Sequence, residues 1–449
     1  MMFSNIVQNE RNIFLIFYFT VAFLIADTMI NYVSDLVVPF LISTGSLIFF
    51  IVIVAVYIFG LFFITEFVKR QSREIRAKDR YVRLINSIVM AAMYVLVAII
   101  ILVVYEILIT SQYHTLMLIA TTAIIELVTI GVLGFFAQRF FSWFKVNRNS
   151  MVILLYGLSF AVSALSLAII SIQDLYLLPL KDPIVNAQSE VIFPYDYIEP
   201  GSFFDSLFSA YRYVDLVSFV LLICATGFLL RHYFKKLGKL KFWIVISLPL
   251  LYYLSTFIET FGLYTPSTDL EWLYWWLYIS LNSTAGGILF GIAFLTVAET
   301  IRHNSPVRQY LRITAFGFIL MFISNQVTLI GTSYPPFGIT TMSFLLLASY
   351  MIFLGLYSTA ISISQDNQLR KSIKKFATHD SNLVSSIGTA QMDQEIQRTV
   401  NSMKQVVQKQ EKELEEQTGI EANMAEDEMK NYLQEVMQEI GKANNKSSP

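Results

Sequence analysis

Ten stretches of about 20 mostly apolar residues recur along the chain, each long enough to cross a bilayer as an α-helix rising ~1.5 Å per residue. They cover residues 13–30, 37–67, 84–110, 116–141, 151–172, 214–230, 242–263, 277–299, 313–331 and 340–364. So many runs cannot be hidden inside a water-soluble core, because helices that are apolar on all sides belong in lipid or deep within protein. Composition points the same way: 55% of the residues are hydrophobic and only 14% charged, with a mean hydropathy of +0.58. The expected fold class is all-α, a polytopic helical membrane bundle of about ten transmembrane helices. The first stretch resembles a signal peptide in position, but its apolar run is long and no small-residue cleavage site follows, so it reads as a span.

The loops test this count independently, since Lys and Arg collect on the cytoplasmic side of a membrane protein. Before the first stretch, directly after the tenth as far as Lys375, and in every second loop lie 23 basic residues, among them Arg73, Arg76, Lys235 and Lys236. The alternate loops hold only Lys181 and Arg212. This alternation places both termini in the cytoplasm of a plasma-membrane protein. A formal net charge of -1 argues against nucleic acid as a partner, because phosphate binding needs a basic excess. The single cysteine, Cys224, allows no intrachain disulfide, and the four histidines show no metal-ligand spacing, so neither a metal site nor a cofactor is expected.

One outside loop is long, residues 173–213, with six acidic residues, four prolines and two aromatic clusters. A connection of that length is either an ordered cap or a functional loop. Trp272, Trp275 and Trp276 stand at the outer start of the eighth stretch, where an aromatic belt meets the headgroups.

Ionisable residues inside spans are costly and mark sites by default. Asp27, Glu106, Glu126 and Glu259 fall in the outer halves of their stretches, with no basic residue in those stretches to pair with. They could line a cation or proton site; otherwise Asp27, Glu106 and Glu259 simply reach water at the outer boundary, and Glu126, the deepest, makes a helix-to-helix hydrogen bond. Asn282, Asn325 and Gln326 are further polar candidates. Ser283, Gly287 and Gly291 recur every fourth residue on one helix face, a pattern that lets helices approach closely. The alternative is a helix broken at Gly286 and Gly287 beside Asn282. Ten spans divided five and five by the long loop would suit an inverted-repeat transporter, but the third stretch lacks the Gly or Pro break expected opposite the eighth.

Residues 1–366 therefore read as the membrane domain. Residues 367–392 follow as a juxtamembrane amphipathic segment, with Leu369, Ile373 and Phe376 on one face among lysines suited to anionic lipid. In 393–441, Ile396, Val400, Met403, Val407 and Leu414 take heptad positions, with the polar Gln410 among them. That tail holds twelve acidic residues against six basic ones counted through Lys442, so it should project from an anionic membrane or meet a basic partner. Dimerisation, giving a homo-oligomer, and an antiparallel hairpin are the two uses of such a tail. Residues 442–449 read as a disordered end.

Two stretches, LLRHYFKKLGKLKFWIVISLPLLYYLS (229–255) and ISISQDNQLRKSIKKF followed by HDSNLVSSIGTAQMDQEIQ (361–397), resemble a family of multi-pass membrane proteins of archaea with no assigned activity. The resemblance implies a fold class and no reaction. The layout is also broadly similar to the multi-span sensing halves of membrane histidine kinases, but no Gly-rich ATP-binding domain follows. No phosphate loop, HExxH or GxSxG motif is present, so no enzymatic activity is expected. Two functions remain. One is a sensor or signalling scaffold that couples the membrane domain to a cytoplasmic coiled coil and recruits a protein partner. The other is a transporter or channel for a cation or small solute, using the intramembrane carboxylates.

Overall fold

The structure is a computed structural model that describes chiefly residues 10–32, 44–71, 80–146, 150–189, 201–232, 289–299, 306–325, 334–365 and 387–394, with short pieces between them. Its helices are α1 (Glu10–Tyr32), α2 (Thr44–Gln71), α3 (Arg80–Thr110), α4 (Thr115–Val146), α5 (Met151–Leu177), α6 (Phe203–His232), α7 (Leu289–Glu299), α8 (Pro306–Ser324) and α9 (Ile339–Gln365). Among the described residues, eight helices are long and apolar enough to cross a membrane. The chain is a multi-pass integral membrane protein. Residues 251–285, which carry most of the seventh expected span, the start of the eighth and the tryptophan cluster, lie outside the described residues. So do 366–386 and the heptad residues Ile396, Val400, Met403, Val407 and Leu414.

Several boundaries differ from the sequence reading, and α4 and α5 each run on past theirs, to Val146 and Leu177. Helix α6 begins at Phe203 instead of residue 214, because Ser202 and Asp205 form a capping arrangement. The Ser202 hydroxyl accepts the Asp205 backbone N–H at 3.2 Å, and the Asp205 carboxylate accepts the N–H of Gly201 at 2.8 Å. Helix α8 runs from Pro306 to Ser324 instead of 313 to 331; a proline at a first helical position lacks only a donor that would be unpaired anyway.

A small departure from all-α structure sits at one end of the bundle. Strands β1 (Gln112–His114) and β2 (Ile184–Asn186) pair antiparallel, Tyr113 facing Val185. Three-residue strands are too short to leave an alternating pattern in the sequence. The N–H of Thr115 donates to Pro183 O at 3.1 Å, and its hydroxyl donates to Asp182 O. Tyr113, buried, stacks at 8° on Tyr334. Lys181, 6% exposed, donates from Nζ to the carbonyl oxygen of Thr332. The described part of the long loop is thus an ordered cap that ties α3, α4 and α5 to the connection before α9.

Helix α9 organises the core: the span Ile339–Ser362 is buried throughout its apolar window. Tyr57 of α2 meets Phe344 edge-on at 5.3 Å, and Phe136 of α4 meets Phe353 at 5.6 Å. Helix α8 packs antiparallel to α9 through two glycines. A side chain at Gly317 would meet Ala348 O and Ile352 N at 3.0 Å, and one at Gly355 would meet Thr314 N at 2.9 Å. Phe316 of α8 stacks on Phe17 of α1 at 4.3 Å, and Phe318 on Phe294 of α7 at 5.2 Å.

The chain divides into two compact units, Met1–Phe141 with Met151–Thr359, and Ser142–Ser150 with Ala360–Pro449. Within the second, the Trp143 indole N–H donates to Gln391 Oε1 at 2.8 Å in a buried position, and the Gln394 amide donates to Ser142 Oγ.

Candidate functional site

Helices α4 and α5 form an antiparallel pair whose register can be followed from residue to residue. At the capped end Thr115 bonds to the backbone of Asp182 and Pro183. Deeper, Phe136 lies 4.6 Å from Phe160, and Phe140 packs against Tyr156, with Gly157 leaving no room for a side chain beneath Phe140. Between these levels Glu126 of α4 stands opposite Ser171 and Asp174 of α5; the Ser171 hydroxyl donates to Leu167 O at 2.6 Å. Glu126 is 1% exposed and Asp174 3%. Eleven residues separate Glu126 from Thr115, which puts the pair about 16 Å along α4 from the capped end.

Two carboxyl groups can hydrogen-bond to each other only if at least one carries a proton, since ionised carboxylates only accept. Like charges at that separation in a dry site disfavour double ionisation strongly. Neither acid has a basic partner among the described residues. Glu126 Oε2 and Asp174 Oδ1 are buried with no hydrogen-bond partner, and so are Gln173 Oε1 and the hydroxyls of Thr122 and Thr129. Thr122 and Thr129 lie four before and three after Glu126, on its face of α4. Thr121, by contrast, donates to Met117 O in the ordinary way for a helical threonine.

The other acids singled out in the sequence have different surroundings. Asp27 is fully buried but lies at the start of α9. Its Oδ1 accepts the N–H of Gly338 at 2.8 Å, and its Oδ2 accepts the Thr340 hydroxyl at 2.5 Å and the N–H of Thr341 at 3.1 Å. The Thr341 hydroxyl lies 2.7 Å from the same oxygen. This is a carboxylate capping a helix N-terminus from another helix, where free N–H groups and the helix dipole favour negative charge. Glu106, at the end of α3, accepts the His114 N–H at 3.0 Å and pairs with its ring at 3.1 Å, partly open to solvent. Neither Asp27 nor Glu106 is hydrogen-bonded to Glu126. Asn325 is exposed just beyond α8. Gly287 and Gly291 lie against Ile319 of α8. Glu259, Asn282, Ser283 and Gln326 lie outside the described residues.

Asp174 is the residue that the sequence reading assigned to the loop. The apolar run of α5 continues past it through Leu175 and Leu177, and Ser171 and Asp174 are three apart on one helical face. That continuation was the available signal. Asp215 of α6 is a further acid facing α5, where the Ser166 hydroxyl donates to it at 3.5 Å. No three His, Cys, Asp or Glu side chains come together among the described residues.

No protein-family model matches the chain, and comparison with curated proteins and with solved structures gives no match. The functional reading rests on the geometry.

Proposed function

We propose that the protein is a membrane sensor in which the helical bundle is coupled to the C-terminal segment, with both termini in the cytoplasm and the acidic tail as the contact for a partner. The observation that carries this reading is the buried hydrogen bond from Trp143 to Gln391, supported by that from Gln394 to Ser142. Helix α4 runs unbroken from Thr115 to Val146 and bears both Glu126 and Trp143. An event at Glu126 that shifts or rotates this helix would be felt where residues 387–394 are held. A rigid element with two arrangements is the physical requirement for such coupling.

Hydrogen exchange of the purified full chain tests the reading. Amides in 387–394 should change protection when pH is moved from mildly alkaline to acid in the wild type, and should respond less in Glu126→Gln. Equal exchange at all pH values in the wild type would overturn it.

A second reading, a transporter or channel for a cation or small solute, is favoured by one specific observation: the unpartnered buried oxygens around Glu126 and Asp174. It needs these oxygens to exchange with both sides of the membrane.

A further inference from the structure

The guanidinium of Arg139 sits among three aromatic rings drawn from three helices. Its central carbon lies 5.1 Å from the ring centre of Tyr81 of α3, 5.2 Å from that of Phe135 one turn earlier on α4, and 5.7 Å from that of Tyr357 of α9. Rings within about 6 Å attract a cation through their faces, so together they fix where this long side chain ends. Two of the rings are themselves held in the core: Phe135 meets Phe353 edge-on at 5.7 Å, and Tyr357 stacks on the same ring at 5.4 Å.

Ring faces balance part of the charge but leave the five N–H donors of the guanidinium without an oxygen acceptor. Half-buried Arg139 makes no hydrogen bond and no ion pair among the described residues. Stacked and not hydrogen-bonded, its planar fork is presented edge-on to an outside acceptor, and that fork matches the two oxygens of a phosphate.

Depth and exposure say where the acceptor comes from. Arg139 follows Thr115 by 24 residues of unbroken helix, about 36 Å, which exceeds the ~30 Å of hydrocarbon in a bilayer and puts it at headgroup level opposite the capped end. The cage opens on a surface suited to acyl chains: Tyr81 is 54% exposed, and Leu84 and Ile88, one and two turns further along the same face of α3, are 59% and 49% exposed. Arg80 and Arg83, also exposed, flank Tyr81 and add positive potential that draws anionic lipid.

We propose that Arg139, caged by Tyr81, Phe135 and Tyr357, binds the phosphate of one anionic phospholipid in the leaflet opposite the cap, with the acyl chains along the exposed face of α3. An arginine that merely reaches the headgroups needs no rings from three helices to hold it. The site is independent of the Glu126–Asp174 pair and of whether the protein signals or transports.

The test is thermal unfolding of the purified full chain, delipidated in a neutral detergent and titrated with dioleoylphosphatidylglycerol, dioleoylphosphatidylcholine or inorganic phosphate. A ligand that binds only the folded chain raises the midpoint. Phosphatidylglycerol should raise it saturably, phosphatidylcholine less because its choline cancels the charge, and inorganic phosphate not at all because it lacks the chains. Arg139→Gln should remove the phosphatidylglycerol response, and Arg139→Lys should weaken it several-fold, since an ammonium lacks the planar fork. Arg73→Gln, which removes an exposed charge just beyond α2 at the same end of the bundle, should leave the response intact. Should Arg139→Gln fail to fold, native mass spectrometry decides: wild type should retain one phosphatidylglycerol, Tyr81→Leu should need several-fold more lipid to do so, and equal retention would overturn the site. Equal midpoints with and without phosphatidylglycerol would also overturn it. So would an undiminished response in Arg139→Gln or an equal loss in Arg73→Gln, either of which leaves only the general attraction of a basic rim for anionic lipid. A response to inorganic phosphate matching that to phosphatidylglycerol would overturn the lipid and put a soluble phosphate in its place.

Discussion

Two buried acids in this bundle solve the same problem in opposite ways. Both carboxyl oxygens of Asp27 are satisfied, because backbone and hydroxyl donors at the start of α9 surround it. Glu126 has a second acid, Asp174, opposite it and one carboxyl oxygen buried with no hydrogen-bond partner. Asp27→Asn turns an acceptor into a partial donor against those same N–H and O–H groups. It should cost about 2 kcal/mol in unfolding free energy, read as a lowered midpoint in a detergent melt, because a buried donor left unsatisfied costs roughly 1–3 kcal/mol. Lys181 supplies a pH dependence in the cap. Burial lowers its pKa to about 8, against a smaller opposing effect of Asp182, whereas the unfolded chain holds that proton to about 10.5. Between these values the unfolded state binds more protons, so stability contributed at this residue rises with pH from about 8 and is lost again on going down through it. Burial also raises the Tyr113 hydroxyl above its ordinary value, which works in the opposite direction at still higher pH. Lys181→Met should flatten the rise in melting midpoint seen in wild type above pH 8; an unchanged slope would contradict this assignment. Asp27 and Glu126 were legible as intramembrane acids from sequence alone. Their partners were not, because Thr340 and Asp174 are brought in by tertiary packing across other helices.

At the level of elements, hydropathy located the eight spans found among the described residues, because the bilayer imposes both their length and their polarity. Their ends depend on local chemistry that hydropathy averages away. The Ser202–Asp205 arrangement extends α6 into what reads as loop, and a single buried turn separates Asp174 from the end of α5. The packing glycines were only partly legible. Gly287 and Gly291 share one helix and announce themselves by spacing, whereas Gly317 and Gly355 belong to different helices and act as a pair only once α8 and α9 are antiparallel. Gly355→Val would drive a branched side chain into Tyr310 O and the backbone of Thr314, and backbone cannot turn aside as a flexible side chain can. The expected cost is on the order of 3 kcal/mol, with α8 and α9 losing hydrogen-exchange protection together. Loss confined to α9 would argue that α8 adapts independently.

At the scale of the molecule, the eight long apolar helices among the described residues say that the chain crosses the bilayer repeatedly, and nothing about which helix lies at the centre. That position belongs to α9, surrounded by α1, α2, α4 and α8 within the first unit. Its hydroxyl-rich sequence, with Thr340, Thr341, Ser343, Ser349 and Ser358 all buried, reflects contact with protein on every side in place of lipid. The clasp at Asp27 gives this arrangement a consequence in time. Asp27 lies on the earliest described span and its donors on the latest, 311 residues apart. At ~5–20 residues per second, a ribosome would need roughly 15–60 s to deliver those donors after Asp27 has entered the membrane. Throughout that interval the first helix carries an unsatisfied acid, and the bundle lacks the helix that fills its middle. A nascent chain that stalls or is cut short before α9 leaves the Asp27 carboxyl without these donors, so that closure of this one contact waits on the latest described span.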